Sequence, residues 1–321
     1  MLVQRFKLVQ LSIMGILVFG LAVLACTKTV EVPVEVIKEV LVEAPELGLL
    51  ERAKAEGLRV GFVQEDPFGF INEAGECTGF DIEVTREAAS RAGIIDLEAG
   101  EDIICVHLAW PGLVAGLLAD RIDLIPVGMS IQPKRCEVAA FSDPYQTYGT
   151  GAMVKPGNPK NFRSIQDLAE RDDIIVALAI GTPIVEVMEE MGVSEDNYLL
   201  FPEQIQQLDA VKTGRADALI TNSTFINRYL FKEGTSELER ALPFDYPKAY
   251  NSGHVFRPSD RDSGFVDMWN GILREMKLDG KMAEIGEGYG WTEDDLLGPD
   301  ASADGCCSGE FTDNVGCKAV E

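Results

Sequence analysis

The sequence predicts an α/β fold of two lobes joined by two chain crossings, and three observations predict it. Short apolar runs rich in β-branched residues alternate with stretches of helical periodicity, an order that makes a mostly parallel sheet with helices on its faces. Two such sets follow one another, from Leu58 to Val127 and from Ile174 to Thr221. After the second set the chain supplies a late strand and further helices, so the first lobe is discontinuous in sequence.

Within the first set, Leu58–Val63 reads as a short buried strand, and Phe80–Ala92 carries apolar residues at helical spacing and stops at Gly93. Ile103–Leu108 is a second strand, Pro111–Arg121 a helix opened by proline, and Asp123–Val127 a third strand. In the second set Ile174–Ile180 is a strand, Gly181-Thr182 a turn, Pro183–Met191 and Gln204–Thr213 helices, and Ala216–Thr221 a strand. Gln146–Val154 reads as extended and suits the first crossing. A turn-rich Leu242–Pro247 precedes a strand, His254–Arg257, and helices over Gly264–Glu284. The expected division is 45–147 plus 248–296 for the first lobe and 148–247 for the second. Residues 297–321 form a cysteine-containing tail with little apolar content, expected to be irregular and stapled to the body. The cleft between the lobes is the natural binding site.

The amino-terminal end reads as a targeting segment. Arg5 and Lys7 precede an apolar run, Leu8 to Ala25, that ends in Val23-Leu24-Ala25-Cys26. A basic start, an apolar middle and a small residue before the cut describe a secretory signal over residues 1–25. A cysteine directly after that small residue marks Cys26 as a lipidation site; the alternative is an uncleaved span, since the run is near the lower limit of spanning length. After Cys26 the Val/Glu-rich segment Val30–Glu43, interrupted by Pro33, reads as a tether rather than a strand, so that residues 26–44 form the anchor and tether. The predicted location is therefore the periplasm or the outer face of the cytoplasmic membrane, with the membrane contacted through acyl chains at Cys26.

Composition excludes some partners. With 53 acidic against 28 basic residues the formal charge is −25, which disfavours nucleic acid, whose phosphates need clustered Lys and Arg. Setting Cys26 aside, Cys77, Cys105, Cys136, Cys306, Cys307 and Cys317 are even in number and permit disulfides in an exported chain, without the sequence choosing the pairing. No CxxC pair exists and only His107 and His254 offer imidazoles, so no metal or other cofactor is expected. The chain is expected to be a monomer.

The most informative stretch is Gly128-Met-Ser-Ile-Gln-Pro-Lys-Arg-Cys-Glu-Val-Ala-Ala-Phe-Ser-Asp-Pro-Tyr145. It resembles the signature of the family 3 extracellular solute-binding proteins, in which a Gly-Met-Thr/Ser turn leads to an arginine and Phe-Ser-x-Pro-Tyr follows before the first hinge. The resemblance extends through Gly79-Phe80-Asp81, Gly181-Thr182 and Gly214-Arg-Ala-Asp-Ala-Leu219, and covers nearly everything from Leu58 to Glu293. It implies a type II periplasmic binding protein-like fold that delivers a solute to the permease of an importer driven by ATP hydrolysis, and no enzyme.

The resemblance makes Arg135 the anchor of a ligand carboxylate, a role its planar fork of donors and permanent charge suit. Ser130 and Thr182 would complete that anchor, although Thr182 also suits a plain helix cap and Arg135 a surface ion pair. Amino-acid receptors of the family usually hold the substrate ammonium with an Asp where this chain has Asn222, and an amide cannot neutralise an ammonium as a carboxylate does. Glu65, Phe68 and Trp110 then offer an acid and aromatic faces, a set that suits a planar delocalised cation. Together with Tyr289-Gly-Trp-Thr-Glu-Asp-Asp295, this pattern is most similar to the ectoine and hydroxyectoine receptors of the family. One cage aromatic of that subgroup is replaced by Ser130. The expected ligand is a small zwitterion of the ectoine class. A polar amino acid is the runner-up, and a periplasmic dehydratase on the same scaffold, with Glu65 as acid/base, is the enzymatic alternative. Phe80, Phe141, Tyr145, His107 and His254 are assigned to structure.

Overall fold

The computed structural model describes residues 48–246 and 249–308. The signal, the tether, Cys26 and Cys317 lie outside the described residues.

Two lobes are present. In the first, Arg59–Phe62 pairs in parallel with Ile104–His107, Val60 opposite Cys105 and Phe62 opposite His107. The expected strand at Asp123–Val127 is reduced to single bridges, Leu124 in parallel to Val60 and Ile125 antiparallel to Val255. The chain here is held as much by charge as by a ladder. The Asp123 carboxylate accepts from the Arg59 backbone N–H at 3.0 Å and takes guanidinium contacts from Arg52, Arg59 and Arg257. Val255–Phe256 then runs antiparallel to Ala140–Phe141. Gly61 makes the close approach possible: a Cβ there would lie 2.2 Å from Ile122 Cδ1. The Phe80–Arg91 and Phe265–Leu278 helices cover this sheet and bury Phe80, Ile82, Trp269 and Leu273.

The second lobe carries a five-stranded sheet in the order Glu239–Arg240, Thr150–Val154, Ala218–Asn222, Val176–Ala179, Tyr198–Phe201. The last three strands are mutually parallel, and Thr150–Val154 runs antiparallel to both its neighbours, Ala218–Asn222 and Glu239–Arg240, so the sheet is mixed. Side-chain alternation along its strands feeds two separate cores. Val154, Val176, Leu178 and Ile220 pack on one face with Ile184 and Met188, whereas Met153, Ala177 and Leu219 pack on the other with Leu208, Val211 and Ile226.

Several elements are additional to those read from sequence: the Leu49–Glu56 helix, the Tyr198–Phe201 strand and the Ser223–Glu233 helix. The carboxy-terminal segment is not wholly irregular, since Ala303–Cys307 forms a short helix capped by Ser302 Oγ. Two disulfides are closed among the described residues, Cys77–Cys105 and Cys136–Cys307, and Cys306 is disulfide-bonded as well. No described helix is long and apolar enough to cross a membrane. Among the described residues no group of His, Cys, Asp and Glu is placed to hold a metal.

The two crossings pair with each other: Gln146–Tyr148 lies antiparallel to Tyr250–Ser252, with Tyr148 opposite Tyr250. Behind them His254 is fully buried and accepts at Nδ1 from Trp269 Nε1–H at 2.8 Å. Its Nε2 therefore carries the proton and donates to Thr85 Oγ1 at 3.1 Å. Burial pushes the imidazole pKa down to about 3. The unfolded chain takes up a proton at this residue near pH 6.5 and the folded protein does not, so this contribution to stability is lost on acidification below that value. In chemical denaturation the stability gap between the wild type and His254→Asn is expected to narrow by about 2–3 kcal/mol between pH 7 and pH 4. A gap independent of pH would show that the imidazole takes up its proton at the same pH in the folded and unfolded states.

Candidate functional site

The cleft between the lobes holds a concave cavity of about 620 Å³, its open mouth included. Each of the seven candidate ligand contacts read from the sequence lines it: Glu65, Phe68, Trp110, Ser130, Arg135, Thr182 and Asn222.

Arg135 comes from a one-turn helix, Pro133–Cys136, that proline opens after the extended Gln132. Its Nη1 donates to the Ser130 carbonyl at 2.9 Å and to Ser130 Oγ at 2.8 Å, and its Nη2 reaches across the cleft to the Gly181 carbonyl at 2.9 Å. Trp110 lies beside it, with the ring centroid 6.0 Å from the guanidinium carbon. Among the described residues no carboxylate forms an ion pair with Arg135, and burial holds its pKa below the usual arginine value. Thr182 is the N-cap residue of the Pro183–Glu190 helix, but its hydroxyl donates to the Ala179 carbonyl at 3.0 Å instead of capping.

Glu65 sits in a tight turn that brings Phe68 and Gly69 back onto it through Phe68 N–H and Gly69 N–H, both donating to the Glu65 carbonyl. Its side chain is 8 % exposed and accepts from Asn222 Nδ2 at 2.8 Å. Asn222 ends the Ala218–Asn222 strand and caps the Ser223–Glu233 helix, its Oδ1 accepting from Phe225 N–H at 2.7 Å. The cap orients the amide, and the amide bridges the lobes. An aspartate at this position would set a second carboxylate against Glu65, which accounts physically for the asparagine. A further bridge joins Asp66 to Arg228 and Lys232 on the same helix.

Burial raises the Glu65 pKa to about 7, with the Asn222 hydrogen bond opposing. Nearby Asp81, fully buried, accepts from Tyr145 Oη and Gln146 Nε2 at 2.5 Å each. Burial raises its pKa to about 7 against those hydrogen bonds, and the Glu65 charge adds to the rise.

Sequence reasoning missed the aromatics of the crossings. Tyr148 and Tyr250 line the cavity, their rings 6.1 Å apart, and the Tyr148 hydroxyl donates to the Gly128 carbonyl at 2.7 Å. They supply aromatic surface to the cavity. The available signal was position: Tyr148 lies two residues beyond Gln146, where the extended crossing begins. Phe68 lines the cavity by little of its surface, being 1 % exposed. Its ring is set edge-to-face against Tyr148 and Trp291 and rests on Gly128. Only glycine serves at position 128, where φ is +63° and a Cβ would lie 2.7 Å from the Phe68 ring.

Residues 58–292 match the profile of the bacterial extracellular solute-binding proteins, family 3. The chain belongs to that family. The family 3 protein is 30 % identical over 265 residues, 81 % of this chain and 86 % of the relative, to a probable amino-acid ABC transporter periplasmic-binding protein, y4tE, of Sinorhizobium fredii. It is 28 % identical over 75 % of its length to the L-cystine-binding protein TcyJ of Escherichia coli, covering 85 % of that protein. Among solved structures, EhuB in complex with hydroxyectoine superposes with a TM-score of 0.71 at 26 % identity, covering 81 % of this chain and 97 % of EhuB. A mutant of ArgBP from T. maritima superposes with a TM-score of 0.65 at 28 % identity, covering 75 % of this chain and 98 % of that one. The protein is thus a type II solute-binding protein of the amino-acid ABC transporter kind, a family whose members bind small solutes and interact with a permease.

The raised pKa of Glu65 makes a signed prediction for the family 3 protein. A carboxyl held above its unfolded pKa keeps its proton longer in the folded state, so its effect on stability worsens as pH rises from about 4.5 through about 7. Replacing it by glutamine retains the acceptor for Asn222 and removes the charge. Glu65→Gln is expected to stabilise the ligand-free protein by about 1–3 kcal/mol at pH 8 and negligibly at pH 4.5, read from denaturant midpoints. Equal stability at both pH values would place the Glu65 carboxyl in contact with solvent.

Proposed function

We propose that this protein captures a small zwitterion in the interlobe cleft, with the solute carboxylate on Arg135 and its cation on Glu65, and presents it to an ABC permease. The observation that carries the reading is that both charges lie in one cleft and, among the described residues, neither has an ion-pair partner. A buried charge without a partner is costly, and a ligand of opposite polarity at each site relieves both costs at once.

The amide at Asn222 and the aromatic surface of Trp110, Tyr148 and Tyr250 favour a cyclic, delocalised cation of the ectoine class over a primary ammonium. The likeness to EhuB with hydroxyectoine supports the same reading. An amino-acid receptor is the second reading, favoured by the relatives that are binding proteins for amino acids. The cyclohexadienyl dehydratase of Pseudomonas aeruginosa is 24 % identical over 65 % of this chain, a likeness that offers an enzyme on the same scaffold as a third reading. A dehydration catalyst needs a placed acid and base, and Glu65 is the single carboxylate among the described lining residues, without a histidine beside it. Capture therefore fits the site better than catalysis. Lipidation at Cys26 would hold the receptor at the membrane, beside the permease.

Thermal-shift titration with ectoine, hydroxyectoine, glycine betaine, proline, L-arginine and L-cystine tests the assignment. Ligand at about a hundred times its Kd stabilises by about 2.7 kcal/mol. An ectoine-class shift that disappears in Arg135→Ala and weakens at least about tenfold in Glu65→Gln is the expected result. A shift with L-arginine or L-cystine alone would replace the ectoine assignment by the amino-acid one. A shift undiminished in Arg135→Ala would discard the carboxylate anchor.

A further inference from the structure

The helix that presents Arg135 is a single turn, four residues long, too short to hold itself together. Its local support is four backbone bonds: the Gln132 carbonyl accepts from Arg135 N–H at 2.9 Å and Cys136 N–H at 3.0 Å, and the Arg135 carbonyl from Val138 N–H at 3.2 Å and Ala139 N–H at 3.0 Å, while Glu137 and Val138 are exposed. What lies behind the turn is the Ala303–Cys307 helix. Cys136 is bonded to Cys307 across 171 residues of sequence, with Cα atoms 5.7 Å apart. Cys307 ends the Ala303–Cys307 helix, whose first N–H donates to Asp143 Oδ1 at 3.0 Å. Upstream, Leu297 N–H donates to the Tyr145 carbonyl at 3.0 Å and Leu296 bridges Gln146. Lys277 Nζ ties the Pro144 and Gly298 carbonyls together from the side, at 2.8 and 3.1 Å. The segment from Leu296 to Cys307 is thus fastened along residues 143–146 and then bonded covalently to the residue after Arg135. It lies beyond residue 292, where the match to the family ends.

We propose that this carboxy-terminal segment is a brace for the solute-binding arginine, with Cys307 as a positioning residue acting through Cys136. A two-pronged guanidinium–carboxylate contact tolerates only about 0.5 Å of misplacement. The covalent tie fixes the backbone one residue from Arg135, while Ser130 and Gly181 fix the guanidinium itself. That Arg135 grips the solute rests on the function proposed above; that the brace holds the turn does not.

Amide hydrogen exchange on the full chain tests the brace without any solute. In the Cys136→Ser/Cys307→Ser variant the amides of residues 135–139 are expected to exchange at least about tenfold faster, while those of Ala218–Asn222 keep their protection. The Cys77→Ser/Cys105→Ser variant opens another bridge of the same lobe and should leave residues 135–139 unchanged. Unaltered exchange at 135–139 in the first variant, or equal acceleration in both, overturns the proposal. Should the first variant not fold, the wild-type protein treated with a phosphine reductant, with the opened bridges mapped by mass spectrometry, gives the same comparison: full protection with Cys136–Cys307 open is the overturning result. Hydroxyectoine titration of the same samples separates the two claims. Faster exchange with no binding in any sample, wild type included, leaves the brace and removes the ligand assignment, whereas undiminished wild-type affinity in the Cys136→Ser/Cys307→Ser variant removes the positioning role of Cys307.

Discussion

The site depends on one constraint: the chain crosses between the lobes twice, and the two crossings hydrogen-bond to each other. Because Gln146–Tyr148 and Tyr250–Ser252 form an antiparallel pair, the residues that leave and re-enter the first lobe are fixed relative to one another. Buried Asp81 holds the entry point by accepting from Tyr145 and Gln146 together. The same pairing sets Tyr148 and Tyr250 side by side where the cavity lies. The pairing holds the two rings 6.1 Å apart at the junction of the lobes.

Charge is distributed across the cleft so that each lobe completes the other. Arg135 and Glu65 belong to the first lobe, yet each already has a hydrogen bond to the second, through the Gly181 carbonyl and the Asn222 amide. With Asp66 against Arg228 and Lys232, these contacts hold the lobes together. The Asp66–Lys232 pair, whose lysine is 45 % exposed, contributes little, whereas the Glu65–Asn222 hydrogen bond lies at a buried carboxylate. The larger electrostatic reserve lies in the two buried charges, whose desolvation is uncompensated by any ion pair among the described residues. A zwitterion that matched both would convert that cost into closure free energy.

The alternation of strand and helix was legible because it depends on neighbours in the chain. Leu58–Val63 and Ile174–Ile180 declared buried strands by composition, and the structure keeps their centres at Arg59–Phe62 and Val176–Ala179. Asp123–Val127 has the same apolar content but makes only single bridges, because its position is governed by the Asp123 carboxylate and its three arginines, partners distant in sequence. The Ser223–Glu233 helix had a local signal, Asn222 as cap followed by apolar Phe225, Ile226, Tyr229 and Leu230. That signal was masked because Asn222 also reads as a ligand contact. One residue performs the capping and faces the cleft.

The sequence by itself determined the class of fold, the acidic composition, the family and the residue types that line the cleft, since these follow from composition, periodicity and contiguous motifs. Only the tertiary structure decided that Asn222 meets Glu65 instead of replacing a missing acid, that Tyr148 and Tyr250 furnish aromatic walls, and that Cys136 is bonded to Cys307. Each of these joins residues about 100 or more positions apart. No local pattern encodes such a meeting; it comes from the fold's packing and from the burial that makes an unpaired charge or an unmet donor costly.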